Sequence, residues 1–176
     1  MGFEFERPTN EEELEHLLGR IYDLAKRGSY VDALKACDVL IEEAATKKAG
    51  LRERAAVKEH SGDIAGAVMD LAELIASGSV EPADFHQLGV WTLCTGSAHD
   101  AVDYLSKALQ LGERAGFHAY TNSSYLHRAE AHLRLGNLAE AFADCAKLPE
   151  GYKTYVEGVG MRSKEQIQQE ADSRSR

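Results

Sequence analysis

The residues best equipped for chemistry in this chain of 176 residues are seven histidines, three cysteines and the acids near them. His127-Arg-Ala-Glu130-Ala-His132 comes nearest to a metal or acid–base motif. Two zinc-binding histidines on one helix face stand four residues apart. Here the spacing is five, and the two rings diverge around a helix. His127 and Glu130 do share a face, and a solvated or hydrogen-bonded pair is expected of them. Gly158-Val-Gly160 is too short for a phosphate loop and reads as a pair of loop glycines. Asn122-Ser-Ser124 matches the glycosylation acceptor pattern, but it falls early in a predicted helix, where that modification is not expected. No catalytic motif, metal site or cofactor site emerges, so the expectation is a protein that is not an enzyme.

The cysteines divide by position. Cys37, Cys94 and Cys145 are odd in number and widely spaced, which fits free thiols in a reducing compartment. Cys37 and Cys145 fall where a helix pattern wants an apolar core residue, and Cys94 falls near a helix end.

The elements that carry these residues repeat. Four glycines open four similar segments, Gly28-Ser-Tyr-Val-Asp-Ala33, Gly62-Asp-Ile-Ala-Gly-Ala67, Gly96-Ser-Ala-His-Asp-Ala101 and Gly136-Asn-Leu-Ala-Glu-Ala141, spaced by 34, 34 and 40 residues. After each alanine come core-forming residues at steps of four and three: Cys37 and Leu40, Leu71 and Leu74, Leu105 and Ala108, Cys145 and Leu148. That spacing lies on one helical face. Each glycine can take the left-handed conformation that ends a helix, and the Ser29, Asp63, Ser97 or Asn137 that follows is a strong candidate N-cap for the next. Each unit is thus helix, tight turn, helix, with the alanine allowing close approach. The predicted helices are 11–26 with 30–46, 50–60 with 64–77, 83–94 with 98–115 and 118–135 with 138–147. Residues 149–162 read as a loop. Ser163-Lys-Glu-Gln166 reads as a capping box that opens a last short helix, with Ile167 and Ala171 on its buried side and a frayed end over 172–176.

Composition agrees. Only 3 prolines and few β-branched residues argue against a sandwich or barrel. No run approaches eighteen apolar residues, so no membrane span is expected. The acidic stretch Met1–Arg7 does not resemble a signal peptide. A cytoplasmic location is therefore expected. The net charge of −9 is lopsided: residues 1–100 hold 10 Lys and Arg against 19 Asp and Glu, and residues 101–176 hold 10 of each. Such a surface repels nucleic acid and favours a basic protein partner, although a solvated, solubilising acidic face is the more ordinary reading.

On these glycine, alanine and core positions the chain resembles the tetratricopeptide repeat (TPR) family. The third copy matches best, with Phe85, Leu88-Gly89, Gly96, Ala101, Leu105 and Ala108. The first departs most, with Arg20 where the family prefers Leu and Ile21 where it prefers a small residue. The resemblance implies an all-α, right-handed superhelix of about four helix–turn–helix repeats with a C-terminal capping helix. The expected layout is an N-terminal extension over 1–10, a repeat domain over 11–150 (repeats 11–46, 50–77, 83–115 and 118–148) and a loop and capping helix over 151–176.

The resemblance further implies that first helices line a groove for a partner protein or peptide. By register its partner-binding residues are Leu18, Tyr22, Arg52, His60, His86, Val90, Leu93, Leu126, Glu130 and Arg134, with Lys26, Ala56, Cys94 and Leu133 beside them. Val90, Leu93 and Leu126 are the expected apolar anchor. Packing of these residues on each other, or cover by the chain's own tail, is the competing expectation. Some relatives clamp a terminal carboxylate with Lys and Asn in the first repeat. Leu18 and Tyr22 stand there in this chain, so the resemblance does not imply that role. The function implied is an adaptor or scaffold module, with homodimerisation compatible; the alternative is an immunity protein that neutralises a cognate toxin. Trp91 is expected to pack between neighbouring repeats.

Overall fold

The computed structural model describes residues 5–175. Met1–Glu4 of the expected N-terminal extension, and Arg176 at the expected frayed end, lie outside the described residues. Nine helices and one two-stranded sheet are present among those described. The chain divides into two compact units, Met1–Ser79 and Val80–Arg176.

The first unit holds α1 (Glu11–Lys26), α2 (Tyr30–Ile41), α3 (Lys47–His60) and α4 (Ile64–Ala76). Asn10 caps α1 by accepting from the Glu13 amide, and three glutamates fill its first turn, where they meet the positive end of the helix dipole. Leu17, Ile21, Ala25, Ala33, Ala36, Cys37, Leu40 and Val57 form its buried core. The second unit holds α5 (Pro82–Cys94), α6 (Ala98–Ala115), α7 (Thr121–Leu135), α8 (Leu138–Cys145), β1 (Lys153–Val156), β2 (Gly160–Ser163) and α9 (Lys164–Arg174). Its core joins Leu93, Ala101, Leu126, Ala129, Leu133, Ala141, Cys145 and Leu148 with Val156, Ile167 and Ala171 from the C-terminal segment.

All four turn glycines have positive φ, from 77° to 97°, as the helix-ending role requires. Ala33, Ala67, Ala101 and Ala141 are all completely buried. Gly89 marks a close helix approach: a Cβ there would sit 2.6 Å from Leu105 Cγ.

Several expectations need correction. Of the four candidate N-caps after the glycines, only Asp63 accepts a backbone hydrogen bond from its helix, from the Gly66 amide. Ser97 instead donates to Asp100 Oδ2. The second helix stops at Ile41 rather than 46, because the Thr46 hydroxyl donates to the Leu40 carbonyl and turns the chain. Helix α7 begins at Thr121 rather than 118, after Gly116 at φ 65° ends α6. Helix α8 ends at Cys145 rather than 147. Residues 149–162 are not all loop. They hold a hairpin in which Thr154 pairs with Arg162, Tyr155 with Met161 and Val156 with Gly160. The capping box at Ser163 and Gln166 is complete. The helix behind it runs to Arg174, which donates to the Leu133 carbonyl, so most of the expected frayed end is helical.

Three arginines, Arg20, Arg54 and Arg128, stand where the repeat pattern prefers leucine, and the last two are built into the fold alike. Arg54 chelates Asp70 through Nε (3.0 Å) and Nη2 (2.7 Å), and its Nη1 reaches Asp38. Arg128 chelates Asp144 through Nε (2.7 Å) and Nη2 (2.6 Å), and its Nη1 reaches Ser106. Each guanidinium therefore ties its own helix to the second helix of its repeat and to the second helix of the repeat before. Burial works against the charge on Arg128, but the Asp144 bonds overcome it and raise its pKa.

Candidate partner-binding site

In the first unit, the candidate residues come from α1 and α3. Leu18 and Tyr22 stand one turn apart on α1, and Arg52 and His60 stand two turns apart on α3. Leu18 is half-buried, whereas Tyr22 is 59% exposed. The Lys26 ammonium lies 5.8 Å from the Tyr22 ring centroid, so the aromatic face is held beside a cation. Arg52 and His60 are exposed, and His60 Nδ1 lies 2.9 Å from the Ala56 carbonyl. This face can therefore offer an aromatic ring, a partly covered leucine and polar groups from α3. A shallow depression of about 730 Å³ at the start of α1 is lined mostly by polar residues such as Arg7, Thr9, Glu13 and His16. Several of these are engaged elsewhere: Thr9 donates to Glu13, and Arg7 pairs with Glu42 and Glu43.

In the second unit, the structure treats the candidates differently. Val90 is half-buried, but Leu93 and Leu126 are 1% and 0% exposed and belong to the core. They have no surface to give a partner, so the anchor expected of them is not available in this structure. His86 is also buried. Its ring stacks on Tyr120 at 4.8 Å between centroids, meets His127 edge-on at 6.1 Å, and places Nδ1 2.8 Å from Ser124 Oγ. Burial, followed by the nearby His127, lowers its pKa to about 4. It is thus a neutral structural side chain near pH 7. His127 is likewise lowered by burial, with the carbonyls of Ser123 and Tyr155 acting in the opposite direction.

Glu130 is buried as well and bonds two arginines, instead of forming the solvated or hydrogen-bonded pair with His127 that was expected. It accepts from Arg134 Nε at 3.1 Å and from Arg162 Nε of β2 at 2.9 Å. Arg134 also donates to the Leu93 carbonyl. Arg162 donates to Glu170 of α9, which in turn pairs with Arg174. The chain's own hairpin and last helix therefore contact the inner register positions of α7, the second of the two expectations for those residues. Sequence reasoning did not find Arg162, because its partner lies 32 residues away and only the hairpin brings it back. The Arg–Asp pairs were legible in principle, since both are separated by 16 residues in matching repeats.

All three thiols are raised above their ordinary pKa. Burial pushes Cys37 up to about 12 and Cys145 up to about 11, and Cys94, only partly covered, is also raised by burial. Among the described residues no group of three or more His, Cys, Asp or Glu could hold a metal ion. No described helix is long and apolar enough to cross a membrane.

No protein-family profile matches the sequence, and comparison with curated proteins finds no match. Solved structures do match. A putative kinesin light chain from Podosopora anserina with nearly identical TPR-like repeats superposes with a TM-score of 0.65 at 18% identity, over 80% of this chain and 75% of that one. YrrB, a TPR protein with an unusual peptide-binding site, superposes with a TM-score of 0.63 at 17% identity, over 74% of this chain and 64% of that one. MamA gives 0.62 at 13% identity, over 76% and 72%. The chain has a TPR-like, all-α fold. Within that TPR frame, α1, α3, α5 and α7 are first helices and α2, α4, α6 and α8 second helices, as the glycine register requires.

Proposed function

We propose that this protein is a non-enzymatic interaction module that receives a partner protein or peptide on the inner face of its first two repeats. The observation that carries the reading is Tyr22, a mid-helix aromatic at an inner register position and 59% exposed. Tyrosine contributes large contact area at low entropic cost, and aromatic anchors dominate binding energy at interfaces. Leu18 beside it extends the apolar strip, and Arg52 and His60 supply polar contacts from α3. The peptide-binding site of YrrB supports the general reading, since that protein shares the fold. The first 79 residues hold 10 Lys and Arg against 16 Asp and Glu, which favours a basic partner and speeds its encounter. Three free cysteines fit work in a reducing, cytoplasmic compartment.

Affinity capture from extracts of the native cells tests this, with wild type and Tyr22→Ala compared quantitatively and each recovered protein then measured by surface plasmon resonance. The expected result is at least one partner whose affinity drops about tenfold or more with Tyr22→Ala, chiefly through faster dissociation. If every partner binds both forms equally, the inner face of the first two repeats is not the site.

A further inference from the structure

The segment from 150 to 175 is joined to α7 and α8 by a few apolar anchors and many charges. Val156, Ile167 and Ala171 are its buried apolar residues in the core. Around them Arg162 joins β2 to Glu130 of α7 and Glu170 of α9, and Arg174 donates to the Leu133 carbonyl. Lys164 donates to the Leu148 carbonyl. The strands are four residues each and the helix eleven. Neither element is long enough to be stable alone, so the order of this segment derives from docking. A segment ordered by docking can open as a local unit while the rest of the protein stays folded.

We propose that residues 150–175 form a strap that closes the inner face of the fourth repeat and opens as a unit, with the repeat helices still folded. It rests on the reading that inner faces receive the partner: the closed strap withholds α7, and its opening uncovers Glu130 and Leu133. The hinge is Pro149-Glu-Gly151, where Gly151 has a φ of 69°. The charge network is the latch. Loss of the Arg162 guanidinium leaves Glu130 with Arg134 alone and frees Glu170 from β2, so the open form gains population.

The chain contains its own reporter. Cys145 is fully buried in the same core as Val156 and Ile167, with its Sγ 3.7 Å from the Lys164 carbonyl at the start of the strap. A maleimide reaches it only when the strap lifts or the whole unit unfolds. The experiment is labelling of full-length protein, followed site by site by mass spectrometry, beside hydrogen exchange of α6 peptides as the measure of global opening of this unit. Cys94, partly exposed, is the internal control for reagent access. In wild type, Cys145 should label at least about tenfold faster than global opening permits. Arg162→Gln should speed it by a further tenfold or so and leave α6 exchange unchanged. Arg174→Gln, a milder change at a half-exposed side chain, should speed it less, and guards against an Arg162 variant that does not fold. If Cys145 labels no faster than α6 opens in wild type and in Arg174→Gln, the segment is an integral part of the fold and the strap is refuted. No partner enters this test, so its failure would leave the proposed binding face of the first two repeats standing.

Discussion

Removing Asp144 should destabilise the second unit through the stranded Arg128 guanidinium. The side chains of Arg128 and Asp144 are 20% and 6% exposed, and two short charge-assisted bonds join them. Deleting one member of a buried pair costs about 3–5 kcal/mol, because the other is left desolvated and unpaired. Two features soften this: Ser106 still accepts from Nη1, and the Tyr125 ring lies 5.6 Å from the guanidinium carbon. Asp144→Ala should therefore cost about 3 kcal/mol, which for a unit of this size lowers Tm by about 12 °C or more. Replacing both partners, Arg128→Leu with Asp144→Ala, should recover most of the loss, since apolar substitutes for a buried pair are often neutral. Trp91, the one tryptophan, is buried in α5 of the same unit, so its fluorescence during urea unfolding reads this transition directly. Were Asp144→Ala to fall within about 0.5 kcal/mol of wild type, or the double variant to be as unstable as the single, the clip would not be holding the repeat.

Two further outcomes are expected. Gly89→Ala should destabilise by about 1–2 kcal/mol, because its Cβ would lie 2.6 Å from Leu105 Cγ and 3.2 Å from the Leu105 amide nitrogen. At the exposed mid-helix Gly19 a Cβ meets nothing within 4 Å, so Gly19→Ala should stabilise by about 0.5–1 kcal/mol; chemical denaturation of both variants checks the contrast. The His86 pKa of about 4 in the fold lies below its ordinary value of 6.5, so the unfolded chain binds the proton first as pH falls. The His86 contribution is then complete above about pH 6.5 and is lost between there and about pH 4, by about 3 kcal/mol in all. Urea unfolding at pH 7.5 and 4.5, followed through Trp91, should show a smaller drop for His86→Gln than for wild type; equal drops would contradict the assignment.

The helices and their order were legible in the chain because their determinants are local. A glycine at positive φ, a small residue five positions on and an apolar step of four and three each act within a turn or two, and Gly28, Gly62, Gly96 and Gly136 all behave so. The capping box at Ser163 was readable for the same reason. The availability of the inner face was decided at longer range. Glu130 sits in register with Tyr22, yet Glu130 is buried and Tyr22 is not. For Glu130 the difference comes from a hairpin whose strands are too short and polar to announce themselves by alternation, and which carries Arg162 back to it across 32 residues of chain. Helical register determines which way a side chain points, but its exposure depends on what the remainder of the chain packs against it, and here that is residues 150–175 on α7 and α8.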